Sequence, residues 1–165
     1  MELHAAVHSF RSDVKYALHI HHAVLTAIGC YKHGLLPLNQ VYYDMIKPVR
    51  YHSFGNFAKN QNKMQLMHDI GDASNVIILR NHGIMTMGET LDAAFNRMYY
   101  TLQAAKLQIS MMKMGLLSDE LVQQMMGYMD ADNARKADEE TVEGEIASNS
   151  HLNWWQRLTR DRSKN

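Results

Sequence analysis

The run Asn75-Val-Ile-Ile-Leu-Arg80 restricts what this chain can fold into more than any other stretch. Successive side chains of a strand point to opposite faces, so the four apolar residues Val76 to Leu79 require cover on both. Such a strand predicts a layered α/β domain with helices above and below. Asn81-His82-Gly83 then reads as a turn. Ile84 to Met87 reads as a returning strand that Gly88 ends. Directly after it, Leu91, Ala94, Phe95, Met98, Leu102, Ala105, Ile109 and Met112 recur every three or four residues. That spacing predicts one long amphipathic helix over 90–114. Glu89 and Asp92 favour its N-terminus, and Gly115 stops it.

The upstream half supplies the other layers. Residues 2–10, ELHAAVHSF, read as a helix, and Arg11-Ser12-Asp13 as a polar turn. Val14 to Ile20 suits a short strand. Residues 22–33 suit a helix with Val24, Leu25, Ala27 and Ile28 as its apolar positions and Gly34 as its stop. Five aromatic residues lie in 41–57: Tyr42, Tyr43, Tyr51, Phe54 and Phe57. Pro48 argues against a long helix there, which leaves a loop and a short strand near Val49–Tyr51. Asn60 to Gly71 reads as a polar helix with Met64 and Met67 turned inward. Ser118 opens a further helix that fades near Asn133. The expected division is a domain over 1–133 and a charged tail over 134–165. Trp154 and Trp155 in that tail need cover from their own domain or a neighbouring subunit.

Composition narrows the function classes. The 165 residues carry 17 basic and 17 acidic side chains, so nothing points to a nucleic acid or an anionic membrane. No apolar run reaches the roughly 18 residues of a membrane span. The first residues, MELHAAVHSFRSD, carry three charges and do not read as a secretion signal. Cys30 is the one cysteine, which excludes an internal disulfide framework and a cysteine-based zinc knuckle. It reads as a small buried hydrophobe on its helix. The expected location is the cytoplasm. The 13 methionines read as flexible core filler.

The histidines carry the chemistry. His19 and His21 are two apart at the end of a predicted strand, so they share a face. Two imidazoles on one face can hold one divalent ion, and His82, at the end of another strand, is the natural third donor. Three histidines with an open position make a catalytic zinc arrangement. Ordinary surface or half-buried histidines explain the same spacing, and residue spacing alone leaves both readings open. His22 is expected on the other face. His52, beside Tyr51, is a candidate to support a metal ligand from behind.

Four segments in order resemble the class II aldolase and adducin family: HAAVHSFRSDVKYALHIHH, KHGLLPLNQ, RYHSFG and VIILRNHGIMTMGETLDAAF. The likeness runs from about residue 3 to 115, and KHGLLPL with RYHSFG leans toward the adducin-like branch. It implies a three-layer α/β/α sandwich around a central, mainly antiparallel sheet. It implies a metal-dependent lyase, with zinc or another divalent metal held by His19, His21 and His82. The substrate would be a small phosphorylated sugar-like compound, cleaved by aldol chemistry or dehydrated through a stabilised enediolate. Homotetramers with sites between subunits are implied too. The adducin-like branch also contains non-enzymatic cytoskeletal scaffolds, so a cytoskeletal partner is the alternative. The family's acid/base glutamate stands nineteen residues ahead of the first metal histidine, one position before Met1. Glu2, seventeen residues ahead of His19, is the candidate replacement. The family's upstream phosphate-gripping part also falls before residue 1, so impaired catalysis is expected of this chain.

Overall fold

The computed structural model describes residues 2–53, 60–71 and 74–131, with the side chains of 2 and 60–63 excepted. Phe54 and Gly55 of the RYHSFG segment, Phe57, and the tail with Trp154 and Trp155 lie outside the described residues. The chain divides into two units, Met1–Met125 and Met126–Asn165. The fold below is that of the first.

Helix α1 (Glu2–Phe10) leads into strand β1 (Tyr16–Ile20) and helix α2 (Ala23–Cys30). A single π-helical turn (Tyr42–Ile46) precedes strand β2 (Val49–Ser53). Helix α3 (Asn60–Ile70), strands β3 (Val76–Arg80) and β4 (Gly83–Gly88), and helix α4 (Leu91–Lys113) follow. The strands form one sheet in the order β1-β4-β3-β2. β1 pairs antiparallel to β4, with His19 opposite Met85, and β4 pairs antiparallel to β3. β2 runs parallel to β3, with His52 opposite Leu79. The sheet is therefore mixed, antiparallel in two of its three pairings.

Alternation along the strands sorts the helices into layers. Ile77, Leu79, Met85 and Met87 pack with Ala6 and Val7 of α1 and Leu66 and Ile70 of α3. On the opposite face, the Thr86 hydroxyl donates to the Ala94 carbonyl of α4 (2.8 Å). Gly29 of α2 lies against Ile78 on that same face. β3 and β4 are covered on both sides and buried along nearly their whole length. Full burial of side chains such as Ile77, Ile78 and Leu79 contributes about 1.5–3 kcal/mol each.

Some expectations shift. In α3 the inward residues are Leu66 and Ile70, each fully buried, while Met64 is exposed. Those two supply the branched apolar volume that the α1–sheet cluster takes up, and the more flexible Met64 is left in solvent. In α4 the buried residues are Ala94, Met98, Thr101, Ala104, Ala105 and Gln108, whereas Leu91 and Phe95 are exposed. Thr101 and Gln108 can be buried because both are hydrogen-bonded: the Thr101 hydroxyl donates to the Arg97 carbonyl, and Gln108 bonds the backbone of 34–36. Cys30 is exposed, since Leu25, Ile28 and Gly29 form the buried face of α2. Arg11, in the turn before β1, is only 5 % exposed. It pairs with Asp13 and donates to the carbonyls of Gly71 (3.2 Å) and Ser74 (2.8 Å), tying that turn to the connection between α3 and β3.

Candidate metal centre

The last residues of β1 and the turn between β3 and β4 meet at one end of the sheet. His19, within β1, and His21, one residue past its end, arrive from the first side and His82 from the second. Their ring centroids lie 4.7 Å (His19–His21), 5.0 Å (His19–His82) and 4.4 Å (His21–His82) apart. One nitrogen from each lies within 4.8 Å of the other two. Nitrogens bound to a tetrahedral zinc at 2.0–2.1 Å would be about 3.3 Å apart, so the donor set fits such an ion with small ring movements. Among the described residues this is the one group of three or more His, Cys, Asp or Glu that could hold a metal.

Local hydrogen bonds prepare the rings. His19 Nδ1 lies 2.9 Å from the Ile84 carbonyl. A carbonyl only accepts, so Nδ1 carries the proton and the lone pair of neutral His19 sits on Nε2. That Nε2 lies 2.9 Å from His21 Nε2, which must then donate to it. A cation would take the place of that shared proton. Burial, opposed by the Ile84 hydrogen bond and aided by the fields of His21 and His4, holds His19 below the ordinary imidazole pKa. Burial, with the fields of His19 and His21, does the same for His82. Both shifts favour the neutral imidazole, the state that ligates metals.

The turn that carries His82 has its own requirements. Asn81 takes a left-handed backbone, φ 58°, a conformation Asn tolerates better than most residues. Gly83 comes so close to β1 that a Cβ there would stand 2.5 Å from the Ile20 carbonyl oxygen and 2.9 Å from His21 Cδ2. Only glycine lets the two strands close at this end. The Thr26 hydroxyl of α2 donates to the His82 carbonyl (3.1 Å). The sequence places Gly83 in the turn but does not show its close approach to β1, and it does not single out Thr26. The signal for the glycine was its position directly after a histidine turn; Thr26 carried none.

The other candidates lie elsewhere. His22 caps α2, its Nδ1 accepting from the Val24 N–H (3.2 Å). His52 does not stand behind a ligand as anticipated. It is on β2, at the opposite edge of the sheet from β1, with Nδ1 2.7 Å from Asp69 of α3. Pairing β2 parallel to β3 sends it to that edge, which local sequence does not reveal. Glu2 opens α1, and its side chain lies outside the described residues.

Comparison with known proteins gives these histidines a context. A Pseudomonas aeruginosa protein named "Putative aldolase class 2 protein" is 39 % identical over 108 residues, 65 % of this chain and 41 % of that protein. Human gamma-adducin is 35 % identical over 107 residues, 64 % of this chain and 15 % of its own length. The chain thus spans less than half the length of either relative. An aldolase II superfamily protein from Pseudomonas syringae superposes with a TM-score of 0.62 at 26 % identity, over 88 % of this chain and 62 % of that one. An L-fuculose 1-phosphate aldolase shares the fold, with a TM-score of 0.57 at 20 % identity over 78 % of this chain and 62 % of its own. Residues 1–109, which hold the sheet, the three histidines and most of α4, match the class II aldolase and adducin N-terminal domain, and the chain belongs to that family.

Proposed function

We propose that this chain is a divalent-metal-dependent lyase domain with His19, His21 and His82 as the metal ligands, and zinc as the resident ion. The observation that carries the reading is the meeting of three imidazole donors within 4.8 Å, drawn from two distant chain segments. When bound, the ion would supply Lewis-acid polarisation of a substrate oxygen. The chain's own part is to orient the donors. Ile84 holds His19 in the tautomer that presents Nε2, and the exposed His21 leaves the triad open on its side to a small substrate. The substrate class is a small phosphorylated sugar-like compound, cleaved by aldol chemistry or dehydrated. Glu2 is the candidate acid/base group, and Glu2→Gln should then abolish turnover without lowering metal content. We place the protein in the cytoplasm as a homo-oligomer, on the family's general behaviour.

The test begins with metal. The untagged chain, dialysed against metal-free buffer, should retain close to one ion per chain by elemental mass spectrometry, and His82→Ala should lose most of it while staying folded. Cleavage of a panel of phosphorylated aldol compounds would then be assayed. A folded parent with no ion, or equal metal in parent and His82→Ala, would sink the assignment.

A second reading has its own support in the 35 % identity to human gamma-adducin. On it, the domain is a non-enzymatic scaffold that meets cytoskeletal partners and keeps its histidines idle. A metal-free, inactive chain that co-sediments with cytoskeletal filaments would favour it.

A further inference from the structure

We propose that Thr26 is a positioning residue for the metal centre, acting through the backbone of His82. The inference rests on reading the triad as a metal site and adds a residue on α2 that bonds the backbone of one donor. The Thr26 hydroxyl donates to the His82 carbonyl across 56 residues of sequence, at 3.1 Å. The His82 N–H donates to the Leu79 carbonyl (3.1 Å). The backbone of the third donor is thus held from both sides, within a turn only two residues long between β3 and β4.

The place of Thr26 follows from the same short segment that supplies the first two donors. β1 ends at Ile20, His22 caps α2, and Thr26 lies one turn in, its own N–H donating to the His22 carbonyl (2.8 Å). Its hydroxyl is left to reach across to the turn. One helical turn further on, Gly29 lies against the Leu79 carbonyl oxygen and the Asn81 N–H, where a Cβ would sit 3.4 Å and 3.7 Å from those atoms. α2 therefore forms a seat for the 79–82 backbone, and Thr26 makes a direct hydrogen bond to the donor residue there. Because α2 follows β1 after only two residues, this bond references His82 to the segment that carries His19 and His21. Loss of a group that orients a metal ligand typically weakens metal binding 10- to 100-fold.

The experiment compares the parent with Thr26→Val, which keeps the shape and loses the donor, and Thr26→Ser, which keeps the donor. Cobalt(II) is titrated into each metal-free chain and followed by its visible absorption. Thr26→Val should raise the cobalt dissociation constant about tenfold or more, and Thr26→Ser should restore it to within about twofold. In the metal-free proteins, the His82 imidazole NMR signals should shift in Thr26→Val, while those of His52, at the far edge of the sheet, stay put. Unchanged cobalt affinity in Thr26→Val, or equal losses in Val and Ser, would overturn the proposal, as would His82 signals that do not move. A parent that binds no cobalt would overturn the metal reading instead, and the metal-free imidazole signals would still decide whether Thr26 positions His82.

Discussion

Within His19-Ile20-His21-His22, three imidazoles take three hydrogen-bonding states. His19 donates from Nδ1, His21 donates from Nε2, and His22 accepts at Nδ1. Residue type is the same in each case, and the partner decides the state. At this scale Gly83 should be the least replaceable residue near the site. Gly83→Ala forces the Ile20 carbonyl and the His21 ring apart, and an overpacking cost of about 1–3 kcal/mol is expected. Thermal denaturation of the metal-free protein would show it, and an unchanged melting point would refute it. Asp69 gives a pH-dependent case. Burial raises its pKa, but hydrogen bonds from His52, Gln65 and His68 outweigh burial and hold the carboxyl below its usual range. A carboxyl lowered in the folded state contributes stability above its unfolded pKa of about 3.9, and that stability is lost as pH falls through the folded value. Asp69→Asn should therefore destabilise the protein near pH 7 and flatten the acid limb of its stability curve below about pH 4. A parent and variant with parallel acid limbs would contradict this.

Among elements, α4 shows how burial departs from apolar spacing. Its buried side includes Gln108, fully buried, whose side chain accepts from the Leu36 N–H (2.8 Å) and donates to the Gly34 carbonyl (2.8 Å). The same loop is held from β2, where Tyr51 accepts from the Leu35 N–H (3.0 Å). Gly34 has φ +69° and presses against the Tyr51 ring, so the KHGLLPL segment needs a glycine there. Gln108→Leu keeps the volume and leaves two backbone groups without their partner. It should cost on the order of 3 kcal/mol in urea denaturation. Phe95→Ser, at a position that the apolar spacing places on the buried stripe, should cost about 0.5 kcal/mol or less, because Phe95 is 58 % exposed. Similar losses for the two variants would mean that the buried side of α4 has been misidentified.

For the molecule as a whole, metal and stability are linked. An ion that binds the folded chain and not the unfolded one stabilises it by about 2.7 kcal/mol at a hundredfold excess over the dissociation constant. For a chain of this size that should raise the melting temperature by about 5–10 °C on adding zinc, reversed by a chelator. The shift should vanish in His82→Ala, and a shift that persists there would place the ion elsewhere.

Taken alone, the sequence determined the strands around Val76–Leu79 and Ile84–Met87, the long helix after them, and three histidines that could share an ion. These are local properties, since periodicity and turn chemistry act over a few residues. Strand order and the parallel pairing of β2 emerge only when distant segments pack, and they decide which histidine goes where. They send His52 to Asp69 and bring His82 to His19 and His21. They also convert Arg11 and Gln108 from polar residues in the sequence into buried anchors, because a buried polar group is stable only when partners far along the chain satisfy it. The donors of the candidate site were legible as residue types. What holds them in place, the Ile84 carbonyl, the Thr26 hydroxyl and the missing side chain of Gly83, was settled by tertiary structure.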